Sequence, residues 1–165
     1  AFASTEYIRH PEKYGATEHS LAYVKKTRLL KDDIKGFILE HCHELDSLDI
    51  VVGDDELKKN IMDRIRKATD EVYMTSSISQ LLEISYKDAG KKSGVKFLTE
   101  YLGLSRENVA AFGDADNDTD MIEYAGVGIA MENAAPHLKQ IADHVTLHHD
   151  KDGVAYAFRN ILNIC

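Results

Sequence analysis

From Asp32 onward, apolar and polar positions follow two alternating periods. Ile34, Phe37, Ile38, His41 and Leu45 recur at helical spacing, the stripe of an amphipathic helix, with Asp32 or Asp33 placed to cap it. Leu48-Asp49-Ile50-Val51-Val52 reads as a strand closed by Gly53. Asp54-Asp55-Glu56 opens a second helix carrying Leu57, Ile61, Ile65 and Ala68 on one face, its acids where the helix dipole favours negative charge. Val72 to Thr75 alternates like a half-buried strand, and Leu81 to Tyr86 is its expected partner across a short connection. Helix, strand, helix, strand, strand predicts a small α+β unit with a largely antiparallel sheet. Residues 1–31 are less legible. Tyr7-Ile8 and Leu21–Val24 read as short strands around a polar stretch with Pro11 and Gly15. His10, Tyr14 and His19 read as surface or half-buried residues, with a pocket lining as the alternative.

Asp88-Ala89-Gly90 punctuates the chain, and the pattern then changes. Lys91 to Leu102 reads as a helix with Val95, Leu98, Tyr101 and Leu102 inward. Asn108 to Phe112 is apolar without alternation, as in a parallel strand buried on both faces. Met121, Ile122, Tyr124 and Ala125 continue helically to Gly126, placed for a left-handed cap. Val127 to Met131 is a second buried strand and Val145 to Leu147 a third; Asn133 is placed to cap the helix whose first turn holds Pro136. A last helix is expected to bury Val154, Phe158, Ile161 and Leu162. The reading is an α/β chain: an α+β unit over residues 1–87, then a parallel α/β unit over residues 88–165.

Composition narrows the partners. The formal charge of −8 argues against nucleic acid, whose affinity depends on Lys/Arg patches, and against anionic membrane surfaces. No apolar run approaches the roughly 20 residues of a membrane span. Cys42 and Cys165 are far apart and unpatterned, so a reducing, cytoplasmic setting is expected rather than a disulfide framework. His41-Cys42-His43 invites a metal reading, but helical neighbours one and two apart do not face each other.

The chemistry concentrates in Gly113-Asp114-Ala115-Asp116-Asn117-Asp118-Thr119-Asp120-Met121, between the carboxyl end of a strand and the start of a helix, where open α/β sheets bind ligands. Two carboxylates roughly 6 Å apart repel by about 1 kcal/mol at an effective dielectric near 40. A helix dipole offsets roughly 0.3–1 kcal/mol per acid, enough for one or two of these groups. A hard cation such as Mg²⁺ would balance the rest. An EF-hand does not fit, because its sixth and twelfth places would be Thr119 and Ala125 and a strand precedes the loop. Lys91 at the start of its helix would meet a positive dipole, so a lysine held there makes sense if anions face it; Lys92 is the neighbouring candidate. His148-His149-Asp150 is a weaker metal or catalytic candidate.

The loop resembles G-D-x-x-N-D-x-x-M, the fourth motif of the haloacid dehalogenase superfamily of phosphohydrolases, with Gly113, Asp114, Asn117, Asp118 and Met121 at the fixed positions. Gly128-Ile129-Ala130-Met131-Glu132-Asn133-Ala134 resembles the G-x-A-M-x-N-A segment that follows it, and Asp152-Gly153-Val154 the D-G-V near the end. Leu82-Glu83-Ile84, Lys91, Gly94, Val95 and Leu98 resemble the segment bearing the third-motif lysine. In place of the more usual Ser-Asn stands His148-His149-Asp150. The resemblance covers roughly residues 71–165 and is similar to the Cof-like, sugar-phosphatase branch, whose members carry a large α/β cap. Residues 1–87 then resemble the substrate-selecting cap, and residues 88–165 the C-terminal half of a Rossmann-like core.

That resemblance implies a Mg²⁺-dependent phosphomonoester hydrolase working through an aspartyl-phosphate on a small phosphorylated metabolite. Asp114 would bind the metal, Asp118 would be a ligand or a group fixing the geometry, and Asn117 would orient phosphate or loop. Lys91 would neutralise phosphate oxygens. Asp116 and Asp120 match no fixed position and read as solvated acids. The nucleophile of such enzymes lies in an N-terminal D-x-D-x-T, which does not occur here, and the chain opens on Ala1. The expectation is a fragment inactive alone, with exposed apolar surface favouring a homodimer or association with the missing N-terminal segment. A non-catalytic binding module or a divalent-cation-binding protein on the same fold is the alternative.

Overall fold

Aspartate side chains at Asp33 and Asp54 set where two of the helices begin. The computed structural model describes residues 5–14, 18–77 and 80–164. They divide into two units, one of residues 1–74 and 78–87, the other of residues 75–77 and 88–165.

In the first unit, β1 (Tyr7–Ile8) pairs in parallel with β2 (Leu29–Leu30). Between them lie α1 (Pro11–Tyr14) and α2 (Glu18–Thr27). The expected strand over Leu21–Val24 is therefore helix. A four-residue apolar run cannot distinguish the two by periodicity; here Val24 is fully buried while its neighbour Tyr23 is exposed. His10 is exposed beside Glu12, and the side chains of Tyr14 and His19 lie outside the described residues. α3 (Ile34–Glu40) is capped by Asp33, whose carboxylate accepts from Gly36 N–H at 2.9 Å. Its half-buried stripe is the expected one, although His41 and Leu45 fall beyond its last turn. β3 (Ser47–Val51) leads into α4 (Asp55–Ala68), which Asp54 caps by accepting from Leu57 N–H at 2.7 Å. Leu57 and Ala68 stay exposed, and Ile61, Met62 and Ile65 carry the packing. β4 (Val72–Thr75) and β5 (Leu81–Tyr86) complete a sheet in the order β3-β5-β4, with β3 antiparallel to β5.

In the second unit, α5 (Lys91–Tyr101) ends in a Schellman turn. Gly103, at φ 67°, donates to Glu100 O and Leu104 donates to Thr99 O, satisfying carbonyls the helix leaves open. The inward face of α5 is Val95 and Thr99. Leu98, Tyr101 and Leu102, expected inside, are exposed, as is Phe97. β6 (Ala110–Gly113), β7 (Val127–Ala130) and β8 (His144–Val145) form a parallel sheet in that order. β6 is an edge, so Ala110 is exposed rather than covered on both faces. α6 (Thr119–Tyr124), α7 (Pro136–Ile141) and α8 (Gly153–Asn160) connect and flank the strands. The core gathers Ala111, Ile122, Ala125, Ala130, Ala134 and Leu138.

Three further expectations are corrected. Gly126 is not left-handed; it donates to Arg106 O at 2.8 Å, and a Cβ on it would lie 2.6 Å from Glu107 Cα. Close backbone approach, not positive φ, requires glycine there. Asn133 does not cap α7, whose cap residue is Ala135. On α8 the buried positions are Gly153 and Ala157; Val154 and Phe158 are exposed, and Phe158 stacks on Phe112 at 5.8 Å.

Candidate active site

The acidic segment occupies the turn from the carboxyl end of β6 into α6, with a 3-10 turn over Asp116–Asp118. Asp118 organises it. Its side chain is 6% exposed, and both oxygens are engaged. Oδ2 accepts from the backbone N–H of Asp114 at 2.9 Å and of Ala115 at 3.2 Å; Oδ1 meets Lys91 Nζ at 2.5 Å. A buried carboxylate needs such partners, since an unpaired charge in a poorly solvated place is very costly. Gly113 gives it room: a Cβ there would overlap the Asp118 side chain, 2.9 Å from its Cγ. The motif glycine is thus explained by the aspartate four residues on.

Asp114 is exposed. Its Oδ2 accepts from Asn133 Nδ2 at 2.9 Å, and its Oδ1 has no hydrogen bond among the described residues. Asn133 also accepts from His149 N–H at 3.2 Å. The sequence places it in the motif after β7, but the role expected there is a helix cap rather than a partner of Asp114. Asn117 is half-buried, with no side-chain hydrogen bond among the described residues.

Between the two lysines the geometry selects Lys91, whose ammonium reaches Asp118 while its side chain stays 47% exposed. Lys92 contributes its backbone instead, its N–H donating to Asp120 Oδ2 at 3.4 Å. The capping position of α5 is Gly90, which has no side chain to offer. Asp118 and Asp120 therefore supply, from the facing turn, the negative charge that a helix start favours. This corrects the reading of Asp120 as solvated, for its Oδ1 is buried without a partner among the described residues. Asp116 remains exposed beside His137, 3.2 Å away.

The residues suit a hard cation in a limited way. Asp114 presents a free, exposed carboxylate oxygen, the donor chemistry Mg²⁺ takes in ones and twos beside waters and phosphate. Asp118 is more engaged, with two N–H groups on Oδ2 and Lys91 on Oδ1, which leaves at most one lone pair for an ion. Asp114 is accordingly the freer oxygen donor of the loop, with the Lys91 ammonium beside Asp118.

A parallel sheet carrying an Asp-rich turn at its strand ends, answered by a lysine at a helix start, is an α/β arrangement with a candidate anion- and cation-facing site. The chain belongs to the haloacid dehalogenase-like hydrolases, a family it matches over residues 3–158, and it is a Cof-like phosphatase relative within it. It is 36% identical over 118 residues to the 5-amino-6-(5-phospho-D-ribitylamino)uracil phosphatase YcsE of Bacillus subtilis (strain 168), covering 72% of this chain and 47% of that protein. YitU of the same organism, named for the same reaction, is 43% identical over 75 residues, 46% of this chain and 28% of YitU. Among solved structures, a haloacid dehalogenase-like hydrolase from B. subtilis superposes with a TM-score of 0.73 at 28% identity, over 87% of this chain and 51% of that one. One from Bacteroides thetaiotaomicron gives 0.64 at 30%, over 87% and 53%. The match spans about half the length of YcsE and of the two solved structures, and less of YitU.

Proposed function

We propose that this chain contributes the phosphate-facing half of a metal-dependent phosphomonoester hydrolase active site. The observation that carries the reading is the Lys91–Asp118 pair fixed beside Asp114. Asp118 ties the turn through two backbone N–H groups and holds Lys91 at the strand ends. Lys91 then places positive charge where phosphate oxygens would lie, a preorganised electrostatic contribution. Asp114, hydrogen-bonded by Asn133, would hold Mg²⁺ through its other oxygen, and Asn117 would orient the bound phosphate or the loop. When bound, Mg²⁺ would let an anionic nucleophile approach an anionic phosphate. The attacking aspartate and its acid/base partner fall to a D-x-D-x-T segment that this sequence does not contain, and the reaction runs through an aspartyl-phosphate in two steps.

The relatives' names support a small phosphorylated metabolite with its phosphate on a sugar-like chain as substrate, selected by the α+β unit. No described helix is long and apolar enough to cross a membrane.

Hydrolysis of an aryl phosphate with Mg²⁺ tests this. The chain alone should give no detectable turnover. Supplied with a polypeptide carrying the D-x-D-x-T segment, it should turn over, and Asp114→Asn or Lys91→Ala should lower the rate by about a hundredfold or more. Turnover by the chain alone, abolished by Asp114→Asn, would overturn the half-site reading.

A further inference from the structure

We infer that the turn before α8 is a second metal site, built for a transition-metal ion and separate in chemistry from the acidic loop. His148, His149 and Asp150 each bring a ligand atom into a group within 4.8 Å, the cluster of this kind found among the described residues. The two imidazoles face each other with ring centroids 4.3 Å apart. The Asp150 carboxylate lies 3.4 Å from His148 Nδ1 and 3.0 Å from His149 Nδ1.

Three consecutive residues rarely converge by chance in extended chain, because successive side chains diverge. Here the backbone is folded to make them converge. The segment is a 3-10 turn, His149–Lys151, ended by Asp152 in the left-handed region at φ 52°. His148 N–H donates to Glu132 at 3.0 Å and His149 N–H to Asn133 at 3.2 Å, so both histidines are anchored by the loop after β7. The ligating side chains themselves stay reachable, at 32% exposure for His148, 59% for His149 and 74% for Asp150.

Donor chemistry decides which ion. Two imidazoles and one carboxylate suit Zn²⁺, Ni²⁺, Co²⁺ or Cu²⁺, whereas Mg²⁺ prefers an all-oxygen set. His148 Nδ1 accepts the Asp150 N–H at 3.2 Å, so His148 would ligate through Nε2, and the rings and carboxylate would have to rotate to reach the roughly 2.0–2.2 Å bonds such ions need. Three protein ligands leave an open position for water or a small anion.

Calorimetry with Zn²⁺ and visible absorption with Co²⁺ on the whole chain test the assignment. One equivalent should bind, survive about a hundredfold excess of Mg²⁺, and weaken at least about tenfold in His149→Ala and in Asp150→Asn. The double variant His148→Ala/His149→Ala should lose it, while Asp114→Asn and His41→Ala/His43→Ala keep it. Circular dichroism of each variant separates lost binding from lost fold. Equal binding by the double histidine variant, displacement by Mg²⁺, or loss in Asp114→Asn with the histidines intact would each overturn the site.

Discussion

Gly113 has no side chain, and Asp118 occupies the space one would fill. Gly113→Ala should therefore cost about 1–3 kcal/mol in urea denaturation, the range for forcing extra volume into a packed place. Asp118→Ala strands the N–H groups of Asp114 and Ala115 together with Lys91. Its expected cost is about 2–3 kcal/mol. Lys91→Ala should cost less, about 1 kcal/mol, because Lys91 is half in water and its charge is screened. If the lysine variant proved the more damaging, the aspartate would not be the organiser of this turn.

Among the elements, the β3–β5 pair holds a repulsive contact. Asp49 stands opposite Glu83 in the register, and like charges directly opposite destabilise a sheet. Crowding of its carboxylate by surrounding protein, and then Glu83, raise the Asp49 pKa above its ordinary 3.8. A raised carboxyl pKa means the folded state holds the proton more tightly than the unfolded one. The stabilisation is complete at pH below 3.8 and is lost as pH climbs through the raised value. Asp49→Asn, which mimics the protonated group, should match the parent in acid and exceed its stability at neutral pH. Equal melting temperatures across that window would remove the repulsion argument.

For the molecule as a whole, the apolar face of α5 is the feature to explain. Phe97, Leu98, Tyr101 and Leu102 are 67, 56, 78 and 63% exposed, and β6 is an edge strand of this unit's sheet among the described residues. Contiguous apolar surface of this kind usually marks a contact site. Because these side chains make little of the fold's own packing, Phe97→Ser/Tyr101→Ser should change unfolding free energy by no more than about 0.5 kcal/mol. The same variant should bind less of a hydrophobic dye than the parent. A large loss of stability would mean that this face is already packed in solution.

Much of this arrangement can be read along the chain, because it rests on local rules. Period and capping chemistry locate α3 and α4, with Asp33 and Asp54 as the caps, and the run before Gly113 marks β6 as a parallel strand. The resemblance to the phosphohydrolase motifs groups Asp114, Asn117, Asp118 and Lys91 together. Other features depend on what comes near from far along the sequence. Leu21–Val24 is helical because Val24 alone finds a buried place, a matter of packing rather than of composition. Asp120 closes the start of α5, across 28 residues, because Gly90 cannot. Asn133 serves Asp114 rather than its own helix, and the choice of Lys91 over Lys92 follows from how α6 faces α5. By itself the sequence determined which residue types stand at which spacing, since periodicity and capping act within a few residues. Only the tertiary structure decided which of those residues meet, since a hydrogen bond or an ion pair forms where distance in space, not along the chain, falls to about 3 Å.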